Sequence, residues 1–573
     1  MTSRREDGES SPAEPLPAMA EYAPDEIVVP AHESAVEDEL PDDGEQPVSF
    51  FNPGRPALSE GRSYDMLDKI GFLAMIIGMF MAILDIQIVS SSLGELQAGL
   101  SASHDEISWV QTSYLIAEVI MIPISGWLSH LLSTRILFFI SATTFTIASA
   151  ACAFAWNLES MILFRALQGF LGGAMIPTVF ATSYSMFPRS KQAGVTVVIG
   201  LVATMAPTLG PTLGGYLTAS LSWHWLFLIN VLPGALVAAT VFLAVNVDRP
   251  NFALLKGFDL KGVILVALFL GSMEYVLEEG PRDDWFDDST ITALIALCSL
   301  SGLAFLWHEL TTAAPIINLR AFGNRNFALG CVYSFIIGIG LYGSVYVIPQ
   351  FLGQVKGYNS LQIGELIMVT GVFQFCSAPL AGALSKKMDL RLMLAIGLVC
   401  FALGLYLNSS LTADWGWWDF FLPQAIRGIS LMFLFIPVNA LALGTLPPEM
   451  LKGGSGLYNL MRNLGGAIGL AVINTQLSDE LNRHLLYLKE SVTLARLGVL
   501  NEIQGLTAAL TPAMGPLAEK AALSKLGAMV YQQATVLAFS DVLVMMASVF
   551  LFGFLFMPLM RKVNPGGGGG DAH

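Results

Sequence analysis

Residues 136–155 read ILFFISATTFTIASAACAFA, and this apolar run contains no charged side chain. A second long apolar run, 291–310, reads ITALIALCSLSGLAFLWHEL and is charged only near its end, at Glu309. An α-helix rises 1.5 Å per residue, so about twenty residues cross the roughly 30 Å hydrocarbon core of a bilayer. Unpaired backbone groups are costly in hydrocarbon, which leaves helices or closed barrels, and barrel strands would alternate in polarity. These runs therefore predict transmembrane helices.

The whole chain repeats this pattern. Of its 573 residues, 54% are hydrophobic and 13% are charged, about half the charge of an ordinary soluble domain. We predict an all-α integral membrane protein with fourteen transmembrane spans. The spans lie near residues 70–92, 107–129, 136–155, 158–180, 195–217, 223–245, 260–279, 290–312, 327–352, 363–385, 391–410, 419–443, 455–479 and 533–557.

The two ends of the chain have different compositions from the rest. Residues 1–63 carry fifteen Asp and Glu against four Arg and few large apolar side chains, which predicts a disordered acidic cytoplasmic tail. This tail is either a regulatory segment or a solvated extension without a partner. Residues 564–573 contain a run of five glycines and predict a flexible tail. The five cysteines lie in apolar runs without ligand spacing, so we expect neither disulfides nor a metal site.

The charges of the connections orient the helices. If the N-terminus is cytoplasmic, the short outer connections hold little basic charge beyond Arg282 and Lys356. The positive-inside rule then places both termini in the cytoplasm. The cytoplasmic connections and the end of the chain hold Arg135, Arg189, Lys191, Arg249, Lys256, Lys261, Arg320, Arg325, Lys386, Lys387, Arg391, Lys452, Arg561 and Lys562.

One outer connection, about 480–532, is long. Its apolar positions Leu481, Leu485 and Leu488 have helical spacing, which predicts two short amphipathic helices outside the membrane. The pattern fits a docking surface for a periplasmic partner and a solvated hairpin without a partner equally well.

An internal repeat divides the spans. The motif P-x-x-G-x-L-S occurs at 123–129 and again at 379–385, and Arg165–Gly169 is echoed by Gln424–Gly428 at a similar offset. Two parallel six-helix bundles with two inserted helices explain both echoes. We predict a first bundle at 64–250, two inserted helices at 251–315 and a second bundle at 316–563.

Several motifs, taken in order, resemble one transporter family from about Leu67 to the end of the chain. They are FMAILDIQIV at 80–89, R-x-x-Q-G at 165–169, GPTLGG at 210–215, W-x-W-x-F-x-x-N-x-x-P at 223–233, FDLKG at 258–262 and DWF at 284–286. The chain is similar to the major facilitator superfamily, specifically its fourteen-helix drug–proton antiporters of the EmrB type. Gln87 stands where these relatives usually have Thr.

The loop after the second span departs from the resemblance. Many relatives carry an acidic residue in this cytoplasmic gate, where this chain has Gly126, then His130, then Arg135. The charged latch of those relatives is therefore in doubt here.

Charges inside the spans are the candidate functional groups, because such charges are costly and usually face a cavity or a partner. Asp85 and Arg165 each lie seven residues from the outer end of their span, about 10 Å deep. The resemblance places both spans at the central cavity. We expect Asp85 to accept the proton and Arg165 to set its pKa. The alternative is a permanent structural ion pair.

Other residues complete the expected site. Glu118 is either a cavity group that binds cationic substrate or a second protonation site, or else a protonated carboxyl bonded to a neighbouring helix. We place Gln168, Arg427 and Arg462 in the substrate cavity as well, although structural pairing of the two arginines fits equally. Glu274 and Glu365 lie near outer ends, where we expect them to reach water.

Gly210, Pro211, Gly214 and Gly215 allow close approach and a bend of the fifth span, which we expect to pack on the tenth span or an adjacent one. The resemblance implies an outer gate that suppresses leak; ordinary tight packing is the alternative.

The resemblance implies a proton-coupled antiporter that exports hydrophobic or amphipathic drugs across the bacterial inner membrane. A periplasmic adaptor (membrane fusion) protein and an outer-membrane channel are the expected partners of a tripartite pump. One alternative is an exporter of a physiological lipid, fatty acid, siderophore or metabolite, and another is a membrane sensor or scaffold. We expect no enzyme activity, cofactor, metal or nucleic-acid partner, and the absence of a P-loop sequence argues against ATP-driven transport by this chain alone.

Overall fold

The structure is a computed structural model that describes residues 57–60, 63–90, 92–103, 106–312, 314–493 and 495–563. Apart from 57–60 and 63, the predicted tails 1–63 and 564–573 lie outside the described residues. The described chain contains helices and no strand, in agreement with the predicted all-α class.

The α-helices follow the predicted spans closely through the first twelve. They are α1 (Met66–Ser90), α2 (Leu93–Leu100), α3 (Trp109–Leu132), α4 (Thr134–Ala153), α5 (Leu158–Gly172), α6 (Met175–Met186), α7 (Arg189–Ser220), α8 (Trp225–Leu228), α9 (Val231–Ala244), α10 (Leu260–Glu279), α11 (Ser289–Thr311), α12 (Arg325–Gln354), α13 (Ser360–Leu384), α14 (Leu390–Asn408), α15 (Trp417–Ala442), α16 (Leu451–Ser491), α17 (Leu497–Met514) and α18 (Ala518–Phe554). Short 3-10 turns lie in several connections, such as Phe252–Gly257 and Leu319–Gly323.

Thirteen helical segments of the described chain are long and apolar enough to cross a membrane. The predicted span 455–479 is not among them and lies within α16, which is rich in glycine and polar residues. This helix nevertheless packs inside the bundle against α3, α12 and α18. The count of fourteen spans and the cytoplasmic termini stay predictions that this architecture is compatible with.

Helix packing follows the predicted repeat. In the first half α3 packs on α5 and α4 packs on α9, and in the second half α13 packs on α15 and α14 packs on α18. The contacts between the halves also come in a related pair, α7 with α13 and α3 with α16. The fifth span therefore packs on the tenth.

The seam between α3 and α16 requires small residues, because backbones meet there. A β-carbon on Gly126 would lie 2.8 Å from the Gly453 Cα, and one on Gly456 would lie 3.0 Å from the Ile122 carbonyl oxygen. At the face where the described chain begins and ends, Lys452 Nζ lies 2.5 Å from Asp248 Oδ2 and donates to the Ser129 carbonyl oxygen at 3.0 Å. The halves are thus closed at that face.

The two inserted helices join the bundle at this same seam. The first, α10, packs on α3 of one half and α16 of the other, whereas α11 packs mainly on α10. The loop between them reaches both halves, because Trp285 Nε1 donates to Thr475 Oγ1 at 3.0 Å and Arg282 donates to Ser108 Oγ at 3.3 Å. The seam between α7 and α13 has no such cover in the described chain.

The outer segment 480–532 differs from the prediction of two short helices. Instead α16 continues without a break to Ser491, α17 follows, and α18 begins at Ala518. The apolar positions 481, 485 and 488 thus continue the helix of the preceding span by about 18 Å, because no helix breaker separates them from it. His484 Nε2 lies 2.8 Å from Asp541 Oδ2 and connects α16 with α18.

The seam between α3 and α16 can be tested with two glycines of the same contact. Gly126→Ala adds a β-carbon against backbone, so we expect a lower midpoint of thermal unfolding from roughly 1–3 kcal/mol of strain. Hydrogen exchange should also rise at the start of α16. Gly453→Ala is the matched control, because a β-carbon there meets no heavy atom within 4 Å. Equal stability of the two variants would contradict this packing.

Candidate functional site

A cavity of about 420 Å³ lies between the two halves, on the side opposite the closed face. Its walls come from helix ends at that side, including Ser90 of α1, Leu93 of α2 and Ile363 of α13. A recess of about 60 Å³ shares part of this lining and extends along α3, α10 and α16. The residues common to both are Gln87, Gln111, Glu278, Tyr342 and Leu470. The cavity thus opens at the ends of the helices that lie away from the closed face.

Three carboxylates line the recess. Glu118 comes from α3, and Glu274 and Glu278 come from successive turns of the inserted helix α10. Glu118 and Glu274 are buried, and Glu118 Oε1 has no hydrogen-bond partner in the described structure. Apolar Ile86, Leu115, Val119 and Ala467 lie between them. Such a surface combines apolar contact with carboxyl groups, and this lining suits an amphipathic cation.

The expectation for Glu274 was wrong, while Glu365 is exposed as expected. Glu274 is only 5% exposed, because α10 packs against both α3 and α16 and buries this side chain. The two inserted helices were not predicted to border the cavity, so their acids were not among the predicted site residues. The signal that could have identified them is the pair of acids four residues apart, which share one helix face.

Asp85 and Arg165 are brought together, as their depths in the sequence suggested. Arg165 Nη1 lies 2.5 Å from Asp85 Oδ2, and both side chains are completely buried. The other carboxylate oxygen, Asp85 Oδ1, accepts from Gln168 Nε2 at 3.1 Å and from Asn230 Nδ2 at 2.7 Å. Each charge is therefore compensated inside the first half.

Local packing holds Arg165 in this position. Gly169 lets α5 approach the backbone of α3 at Tyr114, since a β-carbon there would clash with the Tyr114 carbonyl oxygen. At this short separation Arg165 Nε donates to the Val110 carbonyl oxygen at 3.0 Å. The Arg165 guanidinium carbon lies 4.2 Å from the centre of the Tyr114 ring, a cation–π contact.

Asn230 was not predicted as part of this network. It stands at the start of α9 and also donates to Ser149 Oγ at 3.2 Å. The sequence carried a signal, because Asn230 is the asparagine of the W-x-W-x-F-x-x-N-x-x-P motif at 223–233. A motif does not show which carboxylate, in another part of the chain, the side-chain amide of its asparagine will contact.

Gln168, Arg427 and Arg462 were predicted in the cavity, and none of the three lines it. Gln168 is buried in the Asp85 network, where its side-chain oxygen accepts from Arg165 at 2.8 Å. Arg427 is buried in α15 and donates to Gln424 Oε1 at 2.6 Å. Asp85 and Arg165 also lie behind the cavity wall. The sequence placed each of these groups in its span, but it did not show which face of the helix carries the side chain.

Arg462 also lies outside the cavity lining, among aromatic rings. Its guanidinium carbon is 4.7 Å from the centre of Phe435, 5.1 Å from that of Tyr458 and 5.3 Å from that of Phe180. Phe180 belongs to the first half, so this cage spans the contact between the halves. Cation–π contact stabilises the charge there.

The glycine motif of α7 lies between two helices. Gly210 contacts Gln87 of α1 closely, and Thr212 fills the space above Gly364 of α13. Gly214 and Gly215 are buried, and Pro211 lines the cavity. The motif therefore packs the first half against the second beside the cavity.

The gate loop lies at the opposite, closed face. Asp248 accepts from the Thr134 backbone N–H at 3.0 Å, and this places its carboxylate beside Lys452. His130 and Arg135 both lie within electrostatic range of Asp248. Asp248 thus supplies the acidic group of this loop cluster, although it follows the sixth span in the sequence.

Comparison with known proteins agrees with this architecture. Residues 75–470 match the Major Facilitator Superfamily. The Colistin resistance protein EmrB of Acinetobacter baumannii is 44% identical, with 86% of this chain and 96% of that protein covered. The Multidrug export protein EmrB of Escherichia coli is 29% identical, with 87% and 97% covered.

A solved structure shares the fold at low sequence identity. The human organic anion transporter MFSD10 superposes with a TM-score of 0.53 at 13% identity, covering 86% of this chain and 99% of that chain. The chain therefore belongs to the Major Facilitator Superfamily and, within it, to the EmrB-type transporters.

Proposed function

We propose that this chain is a proton-coupled antiporter that exports amphipathic drugs, with a preference for lipophilic cations, across a bacterial inner membrane. The observation that carries this proposal is the recess lined by Glu118, Glu274 and Glu278 between the two halves. Carboxylates among apolar walls bind a lipophilic cation by charge and by burial together. The names of the EmrB relatives, which refer to multidrug export and colistin resistance, support this assignment.

The arrangement of the halves supports alternating access. The cavity opens on one side, while Lys452, Asp248 and Ser129 connect the halves on the other. Exchange between this state and one open at the opposite side requires those contacts to break. A substrate bound between the halves would then be exposed to each side of the membrane in turn.

Asp85 is the proposed coupling group. Its carboxylate holds Arg165, Gln168 and Asn230 together, so a proton on Asp85 would remove the charge that these donors share. Because the donors lie on α5 and α9, protonation would loosen three helices of the first half at once. Glu118, one helix away, is proposed to exchange protons or cationic substrate with the cavity.

The coupling role of Asp85 is tested by proton flux in proteoliposomes with an imposed pH gradient. Asp85→Asn should abolish substrate-driven proton movement, because the side chain can no longer take up a proton. Asp85→Asn alone leaves the charge of Arg165 buried without a counter-charge, which can destabilise the protein. The double variant Asp85→Asn with Arg165→Gln removes both charges and is therefore tested as well. Glu365→Gln, which removes an exposed acid, is the control. Undiminished proton exchange in a folded neutral pair would contradict the proposal and favour a structural ion pair.

The preference for cations is tested by comparing two substrates. Glu118→Gln and Glu274→Gln should each raise the KM for tetraphenylphosphonium by about tenfold, which corresponds to 1.4 kcal/mol of lost interaction. Transport of an uncharged or weakly acidic drug should change little, since only apolar contacts hold it. Glu365→Gln again serves as the control. An equal effect on both substrates would indicate a packing role, and transport of fatty acids alone would favour the physiological exporter.

The outer extension is the proposed dock for a periplasmic adaptor in a tripartite pump with an outer-membrane channel. The extension, residues 480–532, exposes Leu486, Tyr487 and Leu497 by 65%, 63% and 78%. Exposed apolar side chains outside the bilayer are typical of a protein interface.

We expect Leu486→Glu with Leu497→Glu to abolish co-purification with the adaptor of the same organism. Transport in proteoliposomes, which contain no adaptor, should be retained. Glu490→Gln, in the same helix, is the matched control for a surface change. Retention of the adaptor by the double variant would show that this surface is not the dock.

A further inference from the structure

A groove of about 470 Å³ lies outside the transport cavity, at the closed face and beside the seam between α7 and α13. Helix α1 contributes its first turns, α7 contributes its first turns, and the chain just after α13 completes the rim. The lining residues are Lys69, Phe72, Leu73, Ile76, Lys191, Gly194, Val195, Val198 and Lys386.

Three lysines gather at this groove without carboxylate partners. Lys191 Nζ donates to the Tyr64 hydroxyl at 2.6 Å, and Lys191 and Lys69 lie 5.2 Å and 5.7 Å from the centre of the Tyr64 ring. Lys386 reaches the same groove from the second half. In the described structure no ion pair includes any of the three. Three positive charges that line one groove favour an anion among them.

The neighbouring acids are engaged elsewhere. Asp65 and Asp68 each accept a hydrogen bond at 3.0 Å from the other's backbone N–H at the start of α1. Asp389 lies 3.1 Å from Arg391, and hydrogen bonding to that guanidinium lowers the pKa of the Asp389 carboxyl. None of these acids is therefore paired with a lysine of the groove in the described structure.

The rest of the groove is apolar and open at the protein surface. Phe72 and Ile76 are buried and form its base, while Leu73 and Val198 are 54% and 42% exposed. The inserted helices cover only the other seam, so lipid can reach this one directly. A basic rim above an apolar groove matches the two parts of a phospholipid.

We propose that this groove binds one anionic phospholipid, with its phosphate among Lys69, Lys191 and Lys386 and an acyl chain along Phe72, Ile76 and Val198. Two of these lysines belong to the first half and one belongs to the second. A bound headgroup therefore bridges the halves and stabilises the state that is closed at this face.

Native mass spectrometry of the detergent-purified full chain tests the site with dioleoyl phosphatidylglycerol and dioleoyl phosphatidylcholine as probes. The wild-type protein should retain one phosphatidylglycerol at least tenfold more tightly than phosphatidylcholine. Replacing Lys69, Lys191 and Lys386 together by Gln should remove that preference. The matched control replaces Lys256, Lys261 and Lys387 by Gln, which changes the net charge equally.

Gly194→Leu separates the lipid from a free anion. A β-carbon at Gly194 meets no heavy atom within 4 Å, so the variant protein should fold normally. The leucine side chain should fill the groove without changing the charge of the groove. We expect retention of phosphatidylglycerol to fall in this variant as well. The proposal fails if the groove and control triple variants behave alike, or if inorganic phosphate displaces the lipid while Gly194→Leu has no effect. Gly194→Leu should still transport tetraphenylphosphonium in proteoliposomes of neutral lipid. Retained transport would show that a failure of the lipid proposal leaves the proposed transport function intact.

Discussion

The cost of an unpaired polar group in hydrocarbon is the constraint on which this structure depends. It forces the backbone into helices and draws the side chain of Asp85 into contact with Arg165, Gln168 and Asn230. The carboxylates that lack such partners, above all Glu118, are found instead at the wall of the cavity. The same rule thus separates a compensated charge network inside one half from a surface between the halves that can receive charged ligands.

The inserted helices break the symmetry of two otherwise similar halves. By packing on α3 and α16, α10 covers one seam and supplies Glu274 and Glu278 to the recess. The other seam, between α7 and α13, keeps its access to lipid and carries the lysine groove. One insertion therefore accounts both for the acidic character of the proposed substrate site and for the position of the proposed lipid site.

Sequence reasoning succeeded where one coordinate along a helix was enough and failed where the facing direction mattered. The equal depths of Asp85 and Arg165 predicted their proximity, since two cavity-side helices at one depth leave opposite charges within reach. Gln168, Arg427 and Arg462 were also expected in the cavity, as polar groups within spans, but helix rotation turns them into the interior of the bundle. The spacing of the apolar residues predicted that the outer segment is helical. It did not predict that this helix is a continuation of α16, because that depends on the absence of a helix-breaking residue between the two.

The sequence by itself determined the helical membrane class, the repeat and the family, because apolar run length, loop charge and ordered motifs are local properties that survive without coordinates. Only the tertiary structure decided that Asp248 meets Lys452, that Asn230 meets Asp85, and that an inserted helix delivers acids to the cavity. The first two of those contacts join residues 204 and 145 positions apart. Their existence depends on how helices rotate and cross, and rotation is set by packing between helices rather than by the composition of any one of them.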